Sequence, residues 1–214
     1  GLNHKKIHDF IYHNTRGIIA SDIDYVLPLK ENKKYLGMIP NPVIQNRKDF
    51  MPELAEDTIN IFLGINKWNY HQKGIKYFEK ALERIKEKYP ERVEIITVEN
   101  VPYKEYINLY NKAHILLDQC FAYDQGYNAL EAMAKGKVVF TGAEKEFLEH
   151  YHLAEDEVCI NAKPDVDYLV EKLSMLIENP LMIEQISTKA RNFIEKEHNY
   201  ISIAEKYLSI WGKK

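Results

Sequence analysis

The segment at residues 64–74 joins an apolar run to an amphipathic stretch and carries side chains that could bind an anion. It contains neither the G-x-G-x-x-G turn of dinucleotide-binding proteins nor the G-x-x-x-x-G-K-[ST] loop that cradles phosphates. Lys73 and Gly74 nevertheless stand where a helix is expected to begin, and there free backbone N–H groups and the helix dipole attract negative charge. Asn66 and Lys67 could assist Lys73. Taken alone, Lys73 is more simply interpreted as a solvent-exposed side chain.

A second junction, at residues 118–139, places a polar loop, a glycine and a carboxylate in sequence. Gly126 precedes an expected helix, and Glu131 lies about one turn inside it. A carboxylate in this position can accept two hydrogen bonds from vicinal hydroxyl groups, such as those of a ribose. It can equally stabilise the helix by lying near the positive end of its dipole. The residues alone leave both interpretations open.

Apolar runs and amphipathic stretches alternate from residue 59 onward and predict the elements that would hold these junctions. Strands are predicted at 59–63, 93–98, 114–118, 138–140 and 157–160. Helices are predicted at 73–89, 103–112, 127–135, 166–178 and 181–210, the last interrupted near 198–199. The Glu-rich stretch at 144–157 is interpreted as a solvated face. Because the strands are continuously apolar, we expect a doubly wound, Rossmann-like parallel α/β sheet with helices on both faces and its ligand beyond the carboxyl strand ends.

Residues 1–50 do not continue this alternation. Local patterns there predict a helix around Ile7–Ile11 and short strands at 17–20 and 35–39. Pro40-Asn41-Pro42 excludes regular structure, and the charged stretch at 47–57 is interpreted as a linker. We therefore divide the chain into residues 1–50 and residues 51–214.

Composition limits the class of protein. The 214 residues are 45% hydrophobic and 29% charged, which suits a folded chain with a core and excludes disorder as its main state. A net charge of -3 argues against nucleic acid as a partner, and no apolar run is long enough for a transmembrane segment. Two cysteines are too few for a disulfide scaffold or a zinc site and fit a cytoplasmic protein. Gly1 is interpreted as a cleavage scar, so the chain could be a fragment.

Four blocks occur in the order and spacing of a known family. They are Pro40-Asn41-Pro42, the loop ending in Lys73-Gly74, Val101-Pro102 with residues 105–110, and residues 126–139, which contain the string EAMAKGKVV. The last block is the specific one. In these blocks the chain resembles the C-terminal, donor-binding domain of GT-B glycosyltransferases, in particular the retaining group 1 family. The resemblance covers about residues 39–210, and residues 1–38 resemble the tail of the N-terminal acceptor domain.

The resemblance implies roles for the matched residues. Lys73 would bind the donor diphosphate, and Glu131, the second glutamate of the family's pair, would hold the ribose; these two are the implied catalytic set. The remaining implied donor contacts are Asn66, Lys67 and Gly74 in the first loop, Val101 and Pro102 beside the base, and Tyr123, Asp124, Gly126 and Tyr127 near the distal phosphate and sugar.

Two departures from the family pattern indicate a divergent subgroup. The family's first glutamate, eight positions before Glu131, is Tyr123 here, with Asp124 beside it. The family commonly has an arginine after the first strand's glycine; here that position is Ile65, and Lys67 could compensate.

Two Asp-x-Asp strings, at 22–24 and 165–167, imitate a metal motif of another glycosyltransferase fold but lack its context, so no metal is expected.

The resemblance therefore implies the donor-binding part of a transferase for a hexose from a nucleotide diphosphate sugar, without a metal or other cofactor. The acceptor, a glycan or a lipid-linked sugar, would be held by a missing N-terminal domain, so this chain alone would be nearly inactive. The parent protein would be cytoplasmic, at the inner face of the membrane. The alternative is a non-catalytic nucleotide- or protein-binding α/β module. A response-regulator-like domain is disfavoured, because residues 64–67 supply no acidic cluster.

Overall fold

Two parallel sheets organise residues 4–44 and 58–212, which are the residues described by the structure, a computed structural model. The smaller sheet pairs β1 (Ile18–Ala20) with β2 (Tyr35–Met38); α1 (His4–Asn14) precedes it and α2 (Ile23–Leu29) connects its strands. The patterns predicted α1 and both strands but not α2. Residues 39–42 have no regular structure, as expected from the two prolines. The predicted linker at 47–57 and the boundary at residue 50 lie outside the described residues.

The larger sheet is built from β3 (Ile59–Ile65), β4 (Val93–Glu99), β5 (Ile115–Leu117), β6 (Val138–Thr141) and β7 (Ile160–Asn161). All neighbouring strands are parallel, in the spatial order β4-β3-β5-β6-β7. The chain therefore leaves β3 for β4 on one side and returns to β5 on the other. In such a sheet, the crevice beyond the carboxyl ends of the two strands where the order reverses is the usual ligand site.

Helices cover both faces of this sheet, as the continuous apolar strands predicted. The α-helices that follow β3 along the chain are α3 (Tyr70–Lys73), α4 (Ile75–Lys88), α5 (Tyr103–Lys112), α6 (Tyr127–Ala134), α7 (Lys145–Tyr151), α8 (Val166–Glu178), α9 (Pro180–Glu197) and α10 (Tyr200–Trp211). Ile61 and Leu63 pack with α4 and α8 in one core, whereas Phe62, between them in sequence, packs with α5, α6 and α9 in the other. Alternate residues of β3 thus serve opposite faces, and the doubly wound α/β fold is confirmed.

The structure corrects three predicted elements. The helix predicted at 73–89 begins at Ile75, because Gly74 adopts a left-handed conformation (φ 70°) that separates it from α3, to which Lys73 belongs. The fifth strand comprises Ile160–Asn161 rather than 157–160. Within the stretch interpreted as a solvated face, α7 forms and buries Phe147 against Phe193. Phe147, Leu148 and Tyr151 have helical spacing, but seven residues that are mostly charged or polar are too short a window for that pattern to reveal a helix.

Candidate functional site

Lys73 forms an ion pair with a residue that follows β5. Its Nζ donates to Oδ1 of Asp118 at 2.8 Å, and Asp118 is only 3% exposed. Lys73 ends α3, beyond the end of β3, so this contact spans the point where the strand order reverses. A fixed ammonium at this edge of the sheet is suited to hold an anion.

Gly74 allows Lys73 to approach this edge closely. A Cβ atom at Gly74 would lie 3.0 Å from Cβ of Cys120 and 3.2 Å from the ring of Phe121. The backbone N–H of Cys120 also donates to the carbonyl of Lys73 at 2.9 Å. The positive φ and the close contact together explain a glycine after Lys73. The sequence spacing predicted Lys73 in the first turn of the longer helix. Lys73 instead lies at the end of α3.

Asp118 also contacts the helix that carries the predicted carboxylate. The side-chain amide of Asn128, in the first turn of α6, donates to Oδ1 of Asp118 at 2.9 Å. The hydroxyl of Thr141 donates to Oδ2 at 3.3 Å. Asp118 thereby joins Lys73 to the start of α6, and both of its carboxylate oxygens have partners within the protein.

A groove of about 600 Å³ lies between α5, α6 and residues 42–44. Four tyrosines are among its twelve lining residues: Pro42, Val43, Ile44, Tyr103, Tyr106, Ile107, Tyr110, Tyr127, Asn128, Glu131, Ala134 and Lys135. Glu131 is exposed on this lining, one turn after Asn128. Burial raises the pKa of Tyr106, and the carboxylates of Asp118 and Glu131 raise it further. The groove volume is in the range that small-molecule sites occupy.

The loop before α6 is attached to the N-terminal segment. The carboxylate of Asp24 accepts hydrogen bonds from the backbone N–H groups of Tyr123 and Asp124, each at 3.1 Å to Oδ2. The carboxylate of Asp124 accepts from the N–H groups of Gln125 at 2.7 Å and Ile23 at 3.1 Å. Asp124 is 5% exposed, and burial raises its pKa to about 7. Asp124 is thus placed as a buried contact between segments, and neither it nor Tyr123 lines the groove.

The structure brings only part of the predicted set together. Tyr127 and Glu131 line the groove, and Lys73 is joined to it through Asp118 and Asn128. The predicted contacts of the first loop and of the base lie outside the lining. Asn66 caps a short turn by accepting from the N–H of Trp68, and Lys67 pairs with Glu99 at 2.6 Å. Val101 packs against the core, and Pro102 precedes α5. Their donor-binding roles stay predictions.

Sequence reasoning missed four residues that the geometry places at the site or its attachment: Asp24, Tyr106, Asp118 and Asn128. Asp118 gave the clearest signal, since it is the polar last residue of an apolar run, where parallel strands present ligand-binding groups. No sequence signal indicated that Asp24 contacts the loop before α6, because its partners are 99 and 100 residues away.

The Asp-x-Asp strings serve helix capping. Asp22 Oδ1 accepts from the N–H of Tyr25 at the start of α2, and Asp165 Oδ1 accepts from the N–H groups of Asp167 and Tyr168 at the start of α8. Across 4–44 and 58–212, no three His, Cys, Asp or Glu side chains come together as a metal site would need. Over the same ranges, no helix has the length and apolar character required to span a bilayer.

Comparison with known proteins gives one family. A family model described as glycosyl transferase-like matches residues 58–209. No curated protein matches the chain.

Several solved structures share the fold. Sucrose-phosphate synthase from Thermosynechococcus elongatus is 18% identical over 97% of this chain and 60% of its own, with a TM-score of 0.67. TarM from S. aureus, in a complex that includes UDP, is 16% identical over 96% of this chain and 45% of its own, with a TM-score of 0.72. HepE from Anabaena, in complex with UDP-glucose, is 11% identical over 98% of this chain and 67% of its own, with a TM-score of 0.62. The chain thus spans 60% or less of the first two.

Proposed function

The chain belongs to the glycosyl transferase-like family, and we propose that it is the donor-binding part of a retaining glycosyltransferase. It binds a nucleotide diphosphate sugar, from which a hexose passes to a glycan or lipid-linked acceptor. The acceptor is held by an N-terminal domain outside this chain. In this proposal the parent protein contributes to polysaccharide biosynthesis at the cytoplasmic face of the membrane.

The groove beside Glu131 is the observation that carries the proposal. Tyr103, Tyr106 and Tyr127 offer aromatic surface to a base, and the exposed Glu131 carboxylate can accept hydrogen bonds from both ribose hydroxyls. A volume of about 600 Å³ suits a nucleoside. The groove runs along α5 and α6, and Tyr103 and Tyr127 line it where these helices begin, after the carboxyl ends of β4 and β5. That edge of the sheet is where a nucleotide binds in folds of this kind.

Lys73 supplies the electrostatic part of the proposed mechanism. When the bond between the anomeric carbon and the diphosphate oxygen breaks, its electron pair stays on the diphosphate, which gains negative charge. An ammonium already fixed near that charge stabilises the transition state more than one that must be ordered first. The N–H groups of Gly126 and Tyr127, at the start of α6, would add to this effect. No step requires a metal ion.

UDP is the first nucleotide to test, since two of the structures with this fold contain UDP or UDP-glucose. At these identities the likeness concerns the fold alone, so guanine and adenine nucleotides belong in the same experiment.

The second candidate function is a non-catalytic nucleotide- or protein-binding module. The observation in its favour is that Asp24 occupies the N–H groups of Tyr123 and Asp124, where a sugar or distal phosphate would bind in the first proposal. A module of this kind would bind the nucleoside diphosphate without discriminating the sugar.

Thermal melting with UDP, GDP, ADP and their sugars, with and without Mg²⁺, tests the proposal. At a ligand concentration of about 100 Kd, binding adds about 2.7 kcal/mol of stability, or roughly 5–10 °C in Tm. We expect one diphosphate to shift Tm equally with and without Mg²⁺, and Lys73→Ala to lose this shift.

Lys76→Ala is the matched control, because Lys76 is an exposed lysine three residues further on. If none of the nucleotides shifts Tm, the proposal is contradicted. Equal Tm shifts for a diphosphate and all its sugars would favour the non-catalytic module.

A further inference from the structure

Asp118 joins the two parts of the candidate site. Its Oδ1 accepts from the ammonium of Lys73 at 2.8 Å and from the side-chain amide of Asn128 at 2.9 Å. Lys73 is on the β3 side of the point where the strand order reverses, and Asn128 lines the groove next to Glu131. One carboxylate oxygen therefore fixes a cation and a groove residue relative to each other.

We propose that Asp118 is a positioning residue for the donor diphosphate, which holds the ammonium of Lys73 ready for the phosphate oxygens. This inference rests on the proposed function. Asp118 itself does not touch the ligand, because it is 3% exposed and both its oxygens already accept hydrogen bonds.

The chemistry of the pair supports this role. An ammonium has three N–H donors, so the one given to Asp118 leaves two for phosphate oxygens. A free lysine side chain has many rotamers, and ordering it when a ligand binds weakens binding. In this chain the ordering takes place on folding, because Asp118 is anchored by Thr141 on the far side of its carboxylate.

Charge compensation makes the arrangement compatible with an anionic ligand. A buried carboxylate near a phosphate would repel it if its charge were unopposed. Here the charge of Asp118 is opposed by Lys73 and by two neutral donors, Asn128 and Thr141. A diphosphate would meet the outward side of the ammonium and not the carboxylate.

Calorimetric titration of the whole chain with UDP and uridine, and likewise with GDP, ADP and their nucleosides, tests the proposal. We expect Asp118→Asn to weaken binding of the diphosphate about tenfold and to leave the nucleoside unchanged within about twofold. In a Lys73→Met background, Asp118→Asn is expected to have no further effect on the diphosphate, since Asp118 acts through Lys73.

Asp156→Asn is the matched control. Asp156 forms an ion pair with Lys172 that is similarly shielded from solvent, and neither residue lines the groove. The Asp156→Asn variant should bind both the diphosphate and the nucleoside as the wild type does.

Thr141→Val is the second variant if Asp118→Asn does not fold, because it removes an anchor of Asp118 but keeps the charge of Asp118. It should weaken the diphosphate about twofold and spare the nucleoside.

Three results would overturn the role of Asp118 while wild type still binds a diphosphate. They are equal losses for nucleoside and diphosphate, tighter diphosphate binding in Asp118→Asn, and a further loss in the Lys73→Met background. Wild type that binds none of the nucleotides would instead refute the proposed function, and the Asp118 proposal with it.

Discussion

The backbone N–H of Asp124 donates to the carboxylate of Asp24 at 3.1 Å, across 100 residues of chain. The Asp124 carboxylate in turn accepts from the N–H of Ile23, the residue before Asp24. This reciprocal pair of hydrogen bonds connects α2 to the loop that precedes α6. The N-terminal segment and the Rossmann-like sheet are therefore joined at the loop next to the candidate site, and the charge on Asp124 affects that joint.

Asp124 gives the first prediction, on pH dependence. Burial raises its pKa from 3.8 to about 7, with Asp22 and Asp24 adding repulsion. Burial raises the pKa of Tyr151 on α7 and of the Cys159 thiol, and the charge of Asp124 in turn helps to raise both. At pH values between 3.8 and about 7, the two pKa values of Asp124, the folded state binds more protons than the unfolded state. The contribution of Asp124 to stability therefore falls as pH rises from about 4 to 7.

Asp124→Asn should remove that dependence. Relative to wild type, the variant should gain on the order of 2 kcal/mol in free energy of unfolding between pH 5 and pH 8. Urea unfolding at several pH values measures this, with Asp165→Asn, an exposed cap residue, as control. Parallel stability profiles for Asp124→Asn and wild type would contradict the prediction.

The contrast between α5 and this joint shows what the sequence could predict. Residues 103–112 were predicted as a helix with the observed bounds, because Pro102 and the apolar spacing are local signals. Glu131 and Tyr127, which line the groove, were named as candidates because they lie within one contiguous block, and their roles stay predictions. The contacts of Lys73 with Asp118 and of Asp24 with Tyr123 join residues 45 and 99 positions apart, and no local pattern specifies such pairs.

Gly74→Ala is expected to destabilise the fold by about 1–2 kcal/mol. Alanine would be strained at φ 70°, and its Cβ would lie 3.0 Å from that of Cys120. Gly126→Ala is the control, because Gly126 has a negative φ and open space around the added Cβ. Urea unfolding compares them; equal losses in the two variants would show that the conformation at Gly74 is not the cause.

Lys137 lies in the family block and is 1% exposed. Burial lowers its pKa from 10.5 to about 7, while its Nζ donates to the carbonyl of Ala113 at 2.7 Å. The folded state then binds fewer protons than the unfolded state, so this group's contribution to stability is present at high pH and is lost as pH falls towards 7.

The free energy of unfolding of Lys137→Met minus that of wild type should therefore be higher at pH 6 than at pH 9, by roughly 2 kcal/mol. Lys112→Met, at an exposed lysine that ends α5, is the control and should show no such change between the two pH values. A difference between Lys137→Met and wild type that is constant with pH would mean that Lys137 keeps its charge in the folded protein.

Glu131 can be tested through the sugar of the nucleotide. If its carboxylate accepts hydrogen bonds from the ribose hydroxyls, wild type should bind UDP about tenfold more tightly than 2′-deoxy-UDP, or show the same preference for whichever base it selects. Glu131→Gln should lose most of this preference, because an amide offers one oxygen acceptor and not two. Glu105→Gln, an exposed glutamate in the first turn of α5, is the control and should keep it. Should Glu131→Gln weaken ribo- and deoxyribonucleotides to the same extent, Glu131 would act on the groove as a whole and not on the ribose.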